Sequence, residues 1–223
     1  MAKLILIEGT DCSGKETQTK KVIERLNDED IKSIYFGFPN YESPTGKIIG
    51  GSYLGKPAIG PCIFPEGANN VPVKVASLYY AADRLYNIDK INAYLKEGIN
   101  VFLDRYVVSN MAHQGGQLGD RTERERMYKW LEDLEYGLLN LPKPDVTIFL
   151  HMPYEYSLVL KSARSEALDE LEKSKEHLIA AERAYLELVE LYGFDKIECV
   201  RDGEIRTIQD INDELILKLK RKL

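Results

Sequence analysis

The sequence predicts an α/β protein: a parallel sheet with helices on both of its faces. Three observations predict it. Five short runs are apolar almost without a break, longer helix-patterned stretches separate them, and the first run turns into a glycine-rich loop ahead of a helix. Near-continuous apolarity marks strands buried on both faces of a sheet. Regular alternation of strand and helix makes that sheet parallel.

In chain order the expected strands are "KLILIEG" (3–9), "KSIYFGF" (32–38), "NVFLDRY" (100–106), "VTIFLHM" (146–152) and, more weakly patterned, "KIECV" (196–200). The helical patterns cover 15–27, 73–97, 121–139 and 168–192, with a charged one near 207–221. Residues 54–72, rich in Pro and Gly, have no period and read as a long surface loop of a functional or mobile kind. "LPKPD" (141–145) is a stiff turn entering a strand. Residues 161–176 are charged and helical, with basic residues at the start. The 223 residues suffice for one domain, 1–223, with a substantial core.

With 30 basic against 36 acidic residues the net charge is −6. A field of that sign argues against a broad nucleic-acid or anionic-membrane surface, though not against a small anionic ligand met by concentrated basic groups. Cys12, Cys62 and Cys199 are too few and too scattered for a disulfide framework or a paired-cysteine metal site. The opening "MAKLILIEG" is too short an apolar run for a signal peptide or membrane span, so the expected location is the cytoplasm.

"IEGTDCSGKETQ" (7–18) holds G-x-x-x-x-G-K, with Gly9, Gly14 and Lys15 in place. Glycines let backbone N–H groups turn in around phosphate oxygens, and the helix N-terminus adds its dipole. Lys15 then reaches the terminal phosphates of a nucleotide. Thr10, Asp11, Cys12 and Ser13 complete the loop. Glu16 stands where a hydroxyl is usual; its carboxylate about 5 Å from a phosphate charge costs about 3 kcal/mol at an effective dielectric of about 20. It therefore points away or shares the site with Mg²⁺. Thr17 brings a hydroxyl one position late.

Three further clusters carry chemistry. "FLDRYVVSNMAHQGG" (102–116) puts Asp104 and Arg105 at a strand end, suited to a phosphoryl group or a metal, and follows them with Ser109, Asn110 and Gln114, suited to a base edge. "LYYAADRLY" (78–86) sets Tyr80 and Arg84 on one helix face, a ring beside a guanidinium. In "FGFPNY" (36–41), Phe38, Pro39 and Tyr41 are placed to wall a pocket.

Together these clusters resemble the thymidylate kinases. The resemblance covers nearly the whole chain: the loop, F-P-x-Y at 38–41, aromatic-x-x-D-R at 80–84, D-R-Y-x-x-S-N at 104–110, and "DELE" with "ERAYLEL" within 169–188. It implies a P-loop NTPase fold, a three-layer α/β/α domain with a helical lid (161–176), and transfer of a phosphoryl group from ATP with Mg²⁺ to dTMP. By similarity Tyr80 stacks on thymine, Arg84 and Asn110 bind its edge, and Arg105 and Tyr41 hold the acceptor phosphate. Ser109 and Gln114 assist, Glu172 lies near the sugar, and Asp11 lies near phosphate and metal, with Glu16 a second candidate for the metal. Lys161 and Arg164 are the lid cations, Arg164 acting in catalysis beside Lys15 and Arg105. The resemblance also implies a homodimer.

Departures bear on specificity: Asn40 where many members carry Arg, Tyr80 for Phe, His113 for Tyr, His151 for Asp, and Leu171 for an aromatic. The alternatives are a kinase for another nucleoside monophosphate or a deoxynucleoside, and a kinase-like protein that binds nucleotides without turnover.

Overall fold

A computed structural model describes residues 2–162 and 171–223. The strands are β1 (Leu4–Gly9), β2 (Ser33–Gly37), β3 (Asn100–Asp104), β4 (Val146–His151) and β5 (Asp195–Glu198). They form one parallel sheet in the order β2-β3-β1-β4-β5. The helices are α1 (Lys15–Asn27), α2 (Pro44–Lys47), α3 (Val73–Lys96), α4 (Val107–Asn110), α5 (Arg121–Glu132), α6 (Tyr154–Ser162), α7 (Lys175–Tyr192) and α8 (Ile208–Lys220).

β1 is buried at all six positions. Its side chains alternate between two cores, as the strand period requires. Leu4 and Leu6 join Leu103, Phe149, Ile88 of α3, Leu131 of α5 and Leu188 of α7. Ile5 and Ile7 join Phe102, Ile148, Val22 of α1 and Leu215 of α8. The result is three layers, as expected. Because β1 lies between β3 and β4, the loop after β1 meets the carboxyl ends of both neighbours, where open α/β sheets bind ligands.

Several boundaries differ from expectation, each for a local reason. Residues 54–72 are not wholly a surface loop: Leu54, Ala68 and Val71 are buried with Ile49 and Tyr53 in a third core. The helix expected over 121–139 leaves α-geometry at Glu132 and continues as a wider turn over Asp133–Leu138. Val200 leaves the sheet for a hairpin, β6 (Val200–Arg201) with β7 (Glu204–Ile205), turned on Asp202 and Gly203, both with positive φ. The described part of the 168–192 pattern begins as helix at Lys175, where the Ser174 side chain accepts from the His177 N–H. Arg164 lies outside the described residues, as does half of the expected lid. Among the described residues no helix is long and apolar enough to cross a membrane.

His151 closes β4 between two carboxylates, with Nδ1 2.6 Å from Glu198 and Nε2 2.9 Å from Glu182. Burial works against its charged form, but the hydrogen bonds to Glu182 and Glu198 outweigh it and raise its pKa above the usual 6.5. A raised folded-state pKa gives stability that is fully present below the unfolded value and lost as pH rises through the folded one. Wild-type stability is therefore expected to fall on going upward from about pH 6.5, a dependence weakened in His151→Gln. Denaturant titrations at several pH values check this.

Candidate active site

The loop after β1 is shaped by close approaches. A Cβ on Gly9 would lie 2.4 Å from Ser13 Oγ and 2.7 Å from the Leu150 carbonyl. Gly14, at φ 76°, begins α1 in the left-handed region that glycine enters without strain. Thr10 ties the loop to the end of β4: its hydroxyl donates to the Met152 carbonyl at 2.7 Å and accepts from the Met152 N–H at 2.8 Å. Lys15 folds back over the loop and donates to the carbonyls of Gly9 and Thr10 at 3.0 and 2.9 Å. Burial, with repulsion from Arg105, lowers its pKa to about 8.

Glu16, one of the two carboxylates expected at the metal, stands on the first turn of α1. Its carboxylate is exposed and pairs with Lys20 one turn along α1. Thr17 is also exposed. Position 16 sits about 100° round the helix from Lys15, on the solvent side. Asp11 is already engaged, at 3.0 Å from Arg105 Nη2 and 3.5 Å from Lys161 Nζ. Burial alone would push the Asp11 carboxyl up, but Arg105 and Lys15 outweigh it and hold it well below the usual carboxylate range. The carboxylate with an open position is Asp104. Its Oδ2 accepts from the Tyr35 hydroxyl at 3.1 Å, and its Oδ1 is buried without a hydrogen-bond partner among the described residues.

Beside the loop lies a cavity of about 810 Å³, counting its open mouth. Every acceptor-side residue expected from the sequence lines it: Asp11, Phe38, Pro39, Tyr41, Tyr80, Arg84, Arg105, Ser109, Asn110, Gln114 and Glu172. In one part of the wall Arg84 is held bidentate by Glu135, with Nη2 to Oε1 at 2.7 Å, both side chains almost fully buried. Asn110 donates to Glu135 at 3.1 Å and to the Ser77 carbonyl at 3.2 Å, and its Oδ1 is buried without a partner. Gln114 Nε2 is also buried and without a partner. Among the described residues the cavity thus carries one unmatched acceptor and one unmatched donor.

Arg105 sits at φ 66° and bonds Asp11, Ser109 and His113, the last at 3.0 Å. A guanidinium only donates, so His113 Nε2 accepts and its Nδ1 carries the proton toward His177 Nε2, 3.1 Å away. Burial and Arg105 keep His113 neutral, its pKa well below the usual histidine value.

A model of the thymidylate kinase family matches residues 7–209. The chain belongs to the thymidylate kinase family. Thymidylate kinase of Plasmodium falciparum is 30% identical over 174 residues, which are 78% of this chain and 72% of that one. A probable thymidylate kinase of Pyrococcus horikoshii is 29% identical over 98% of this chain and 96% of its own. A solved thymidylate kinase structure from Candida albicans superposes with a TM-score of 0.74 at 24% identity, covering 99% of this chain and 93% of that one, and shares the fold.

The thymidylate kinase motifs omit several groups that shape this site. Glu8 is fully buried and accepts from the N–H groups of Tyr106 and Ser109, each at 3.0 Å, and from the hydroxyls of Ser109 and Tyr185. It caps α4, whose N-cap residue Tyr106 has no side-chain bond of its own. Ser109 therefore spends its hydroxyl on Glu8 and Tyr185 while lining the cavity. Asp83 accepts from the Asn40 N–H, the Ser43 and Thr45 hydroxyls and the Asn87 amide, and so fixes the F-P-N-Y segment. A Glu inside an apolar strand was a readable signal for Glu8, since a buried carboxylate must find donors. Nothing comparable marks Glu135.

Proposed function

We propose that this member of the thymidylate kinase family transfers the γ-phosphoryl group of ATP to the 5′-phosphate of dTMP, giving ADP and dTDP for dTTP synthesis. The observation that carries this reading is the cavity itself: it reaches the phosphate loop through Asp11 and Arg105 and holds the unmatched Asn110 Oδ1 and Gln114 Nε2 in its wall. A thymine edge offers an N–H donor flanked by two carbonyl acceptors. Asn110 Oδ1 takes the N–H, and Gln114 and Arg84 face the carbonyls, while Tyr80 supplies a ring to stack on. Cytosine, without that N–H, would leave Asn110 unpaired.

Phosphoryl transfer asks mainly for positioning and charge stabilisation. The loop amides and Lys15 hold the donor phosphates, which draw the lysine off its own carbonyls. Arg105 and Tyr41 hold the acceptor phosphate. Mg²⁺, arriving with ATP, offsets phosphate charge; Asp104 is the carboxylate that fits it, since its Oδ1 lacks a partner. Lys161, 3.5 Å from Asp11, is the lid cation brought to the site among the described residues. A catalytic role for Arg164, and one kinase domain spanning 1–223, belong to the same reading.

A homodimer through α3 is part of the proposal. Val75, Leu78, Leu85 and Tyr86 are exposed along that helix, an apolar stripe left uncovered by the described residues. A cytoplasmic location fits the three cysteines, which form no disulfide among the described residues. Rates across the nucleoside monophosphates test the acceptor. dTMP is expected to lead, dUMP to follow by about 10–200-fold for its missing methyl, and dCMP to fall on the order of 10⁴-fold below. If dCMP were turned over as well as dTMP, the assignment of Asn110 would be wrong.

A further inference from the structure

A carboxylate serves a metal best when a second hydrogen bond fixes the direction of its free oxygen. Asp104 ends β3 in register with Ile7 of β1, two residues before Gly9, and with Gly37 of β2 on its other side. Its Oδ2 is occupied by the Tyr35 hydroxyl at 3.1 Å, while its Oδ1 is buried with no hydrogen-bond partner among the described residues. An ionised carboxylate only accepts, so the phenol is the donor. Tyr35 belongs to no motif of the chain; in the sequence it is one more residue of a strand.

The pleat of two strands builds this bond. Tyr35 and Gly37 stand two apart on β2 and share one face of the sheet. Gly37 pairs with Asp104 and Tyr35 with Phe102, so both β3 side chains rise on that face, where Phe102 packs against Val22 of α1. The Tyr35 ring therefore runs along the sheet past Gly37 to reach Asp104. A Cβ at Gly37 would come within 2.7 Å of the hydroxyl, so the bare Cα leaves it this path. From α1, Lys20 sets its ammonium 5.4 Å from the centre of the ring and pairs with Glu16. The first turn of α1 thus gives its carboxylate to Lys20, and Lys20 in turn lies over the ring that holds Asp104.

We propose that Tyr35 is a positioning residue for the metal: by holding Asp104 Oδ2, it keeps Oδ1 turned to the Mg²⁺ that arrives with ATP. The proposal rests on the reading of Asp104 as the carboxylate that fits the metal, and adds the group that orients it. Loss of such an outer partner weakens metal binding by about 10–100-fold. Metal-free ATP, held by Lys15 and the loop amides, gains nothing from Asp104 and so nothing from Tyr35.

The test is calorimetric binding of a non-hydrolysable ATP analogue, with and without Mg²⁺ and in the absence of dTMP. It compares the wild type, Tyr35→Phe, Asp104→Asn and the double variant, each with its unfolding midpoint measured. Tyr35→Phe is expected to weaken the Mg²⁺ complex about tenfold while the metal-free analogue stays within about twofold. In the double variant Tyr35→Phe is expected to add nothing to the loss from Asp104→Asn, because the two residues act as one unit. If Asp104→Asn weakens the Mg²⁺ complex and Tyr35→Phe does not, the proposal alone is overturned. An equal loss for both forms of the analogue, which marks a packing role for the ring, overturns it too, as does a fully additive loss in the double variant. If Asp104→Asn binds the Mg²⁺ complex as well as the wild type, the parent reading of Asp104 falls and the proposal falls with it.

Discussion

Lys15→Met is expected to lower kcat on the order of 10³-fold while leaving the protein folded, with an unfolding midpoint unchanged or raised. The size follows from removing a positive charge that meets charge developing in the transition state. The tolerance of the fold follows from burial: the Lys15 side chain is 8% exposed, and exchanging a buried charge for an apolar group of similar length is often neutral or stabilising. A pH signature accompanies it. With a pKa of about 8 against the ordinary 10.5, the folded protein gives up this proton first. Between those values the unfolded chain binds more protons at this position, so stability gains a contribution that rises with pH there. ATP favours the ammonium, so above about pH 8 binding draws in a proton and weakens as pH climbs. Calorimetry near pH 9 in buffers of different ionisation enthalpy reads that uptake. Lys15→Met should lack it.

Glu135→Ala carries the largest expected loss of stability. Glu135 is fully buried and is bound by both Arg84 and Asn110. Removing one partner of a buried pair leaves an uncompensated charge and costs about 3–5 kcal/mol. In a chain of this size that is a fall of about 6–20 °C in unfolding midpoint. Arg84→Met in the same chain should restore much of the stability, since the stranded charge goes with it. It should not restore dTMP affinity, because Asn110 remains unsupported and Arg84 is gone. If the double variant were no more stable than Glu135→Ala, the ion pair would not be what holds this wall.

The sheet was legible because strands buried on both faces must be apolar throughout, and α1 was legible to the residue because its loop and its period agree. That these residues line one cavity was legible through residue types at fixed spacing: Tyr80 with Arg84, and Arg105 with Asn110. Their supporting groups were hidden for physical reasons. Glu135 lies in "EDLEYG", where an acidic residue reads as a solvated helix face until the fold buries it. Glu16 was counted toward a metal along the motif, and the helix carries its carboxylate to Lys20 at the surface. That pairing at i and i+4 was itself readable.

We propose that one cavity delivers a thymidine phosphate to a nucleotide on the Lys15 loop. The most direct measurement is product analysis of the purified protein incubated with ATP, Mg²⁺ and dTMP. dTDP and ADP are expected in equal amounts, with little free phosphate. ADP with free phosphate and unchanged dTMP, or no turnover of any nucleotide, would contradict it.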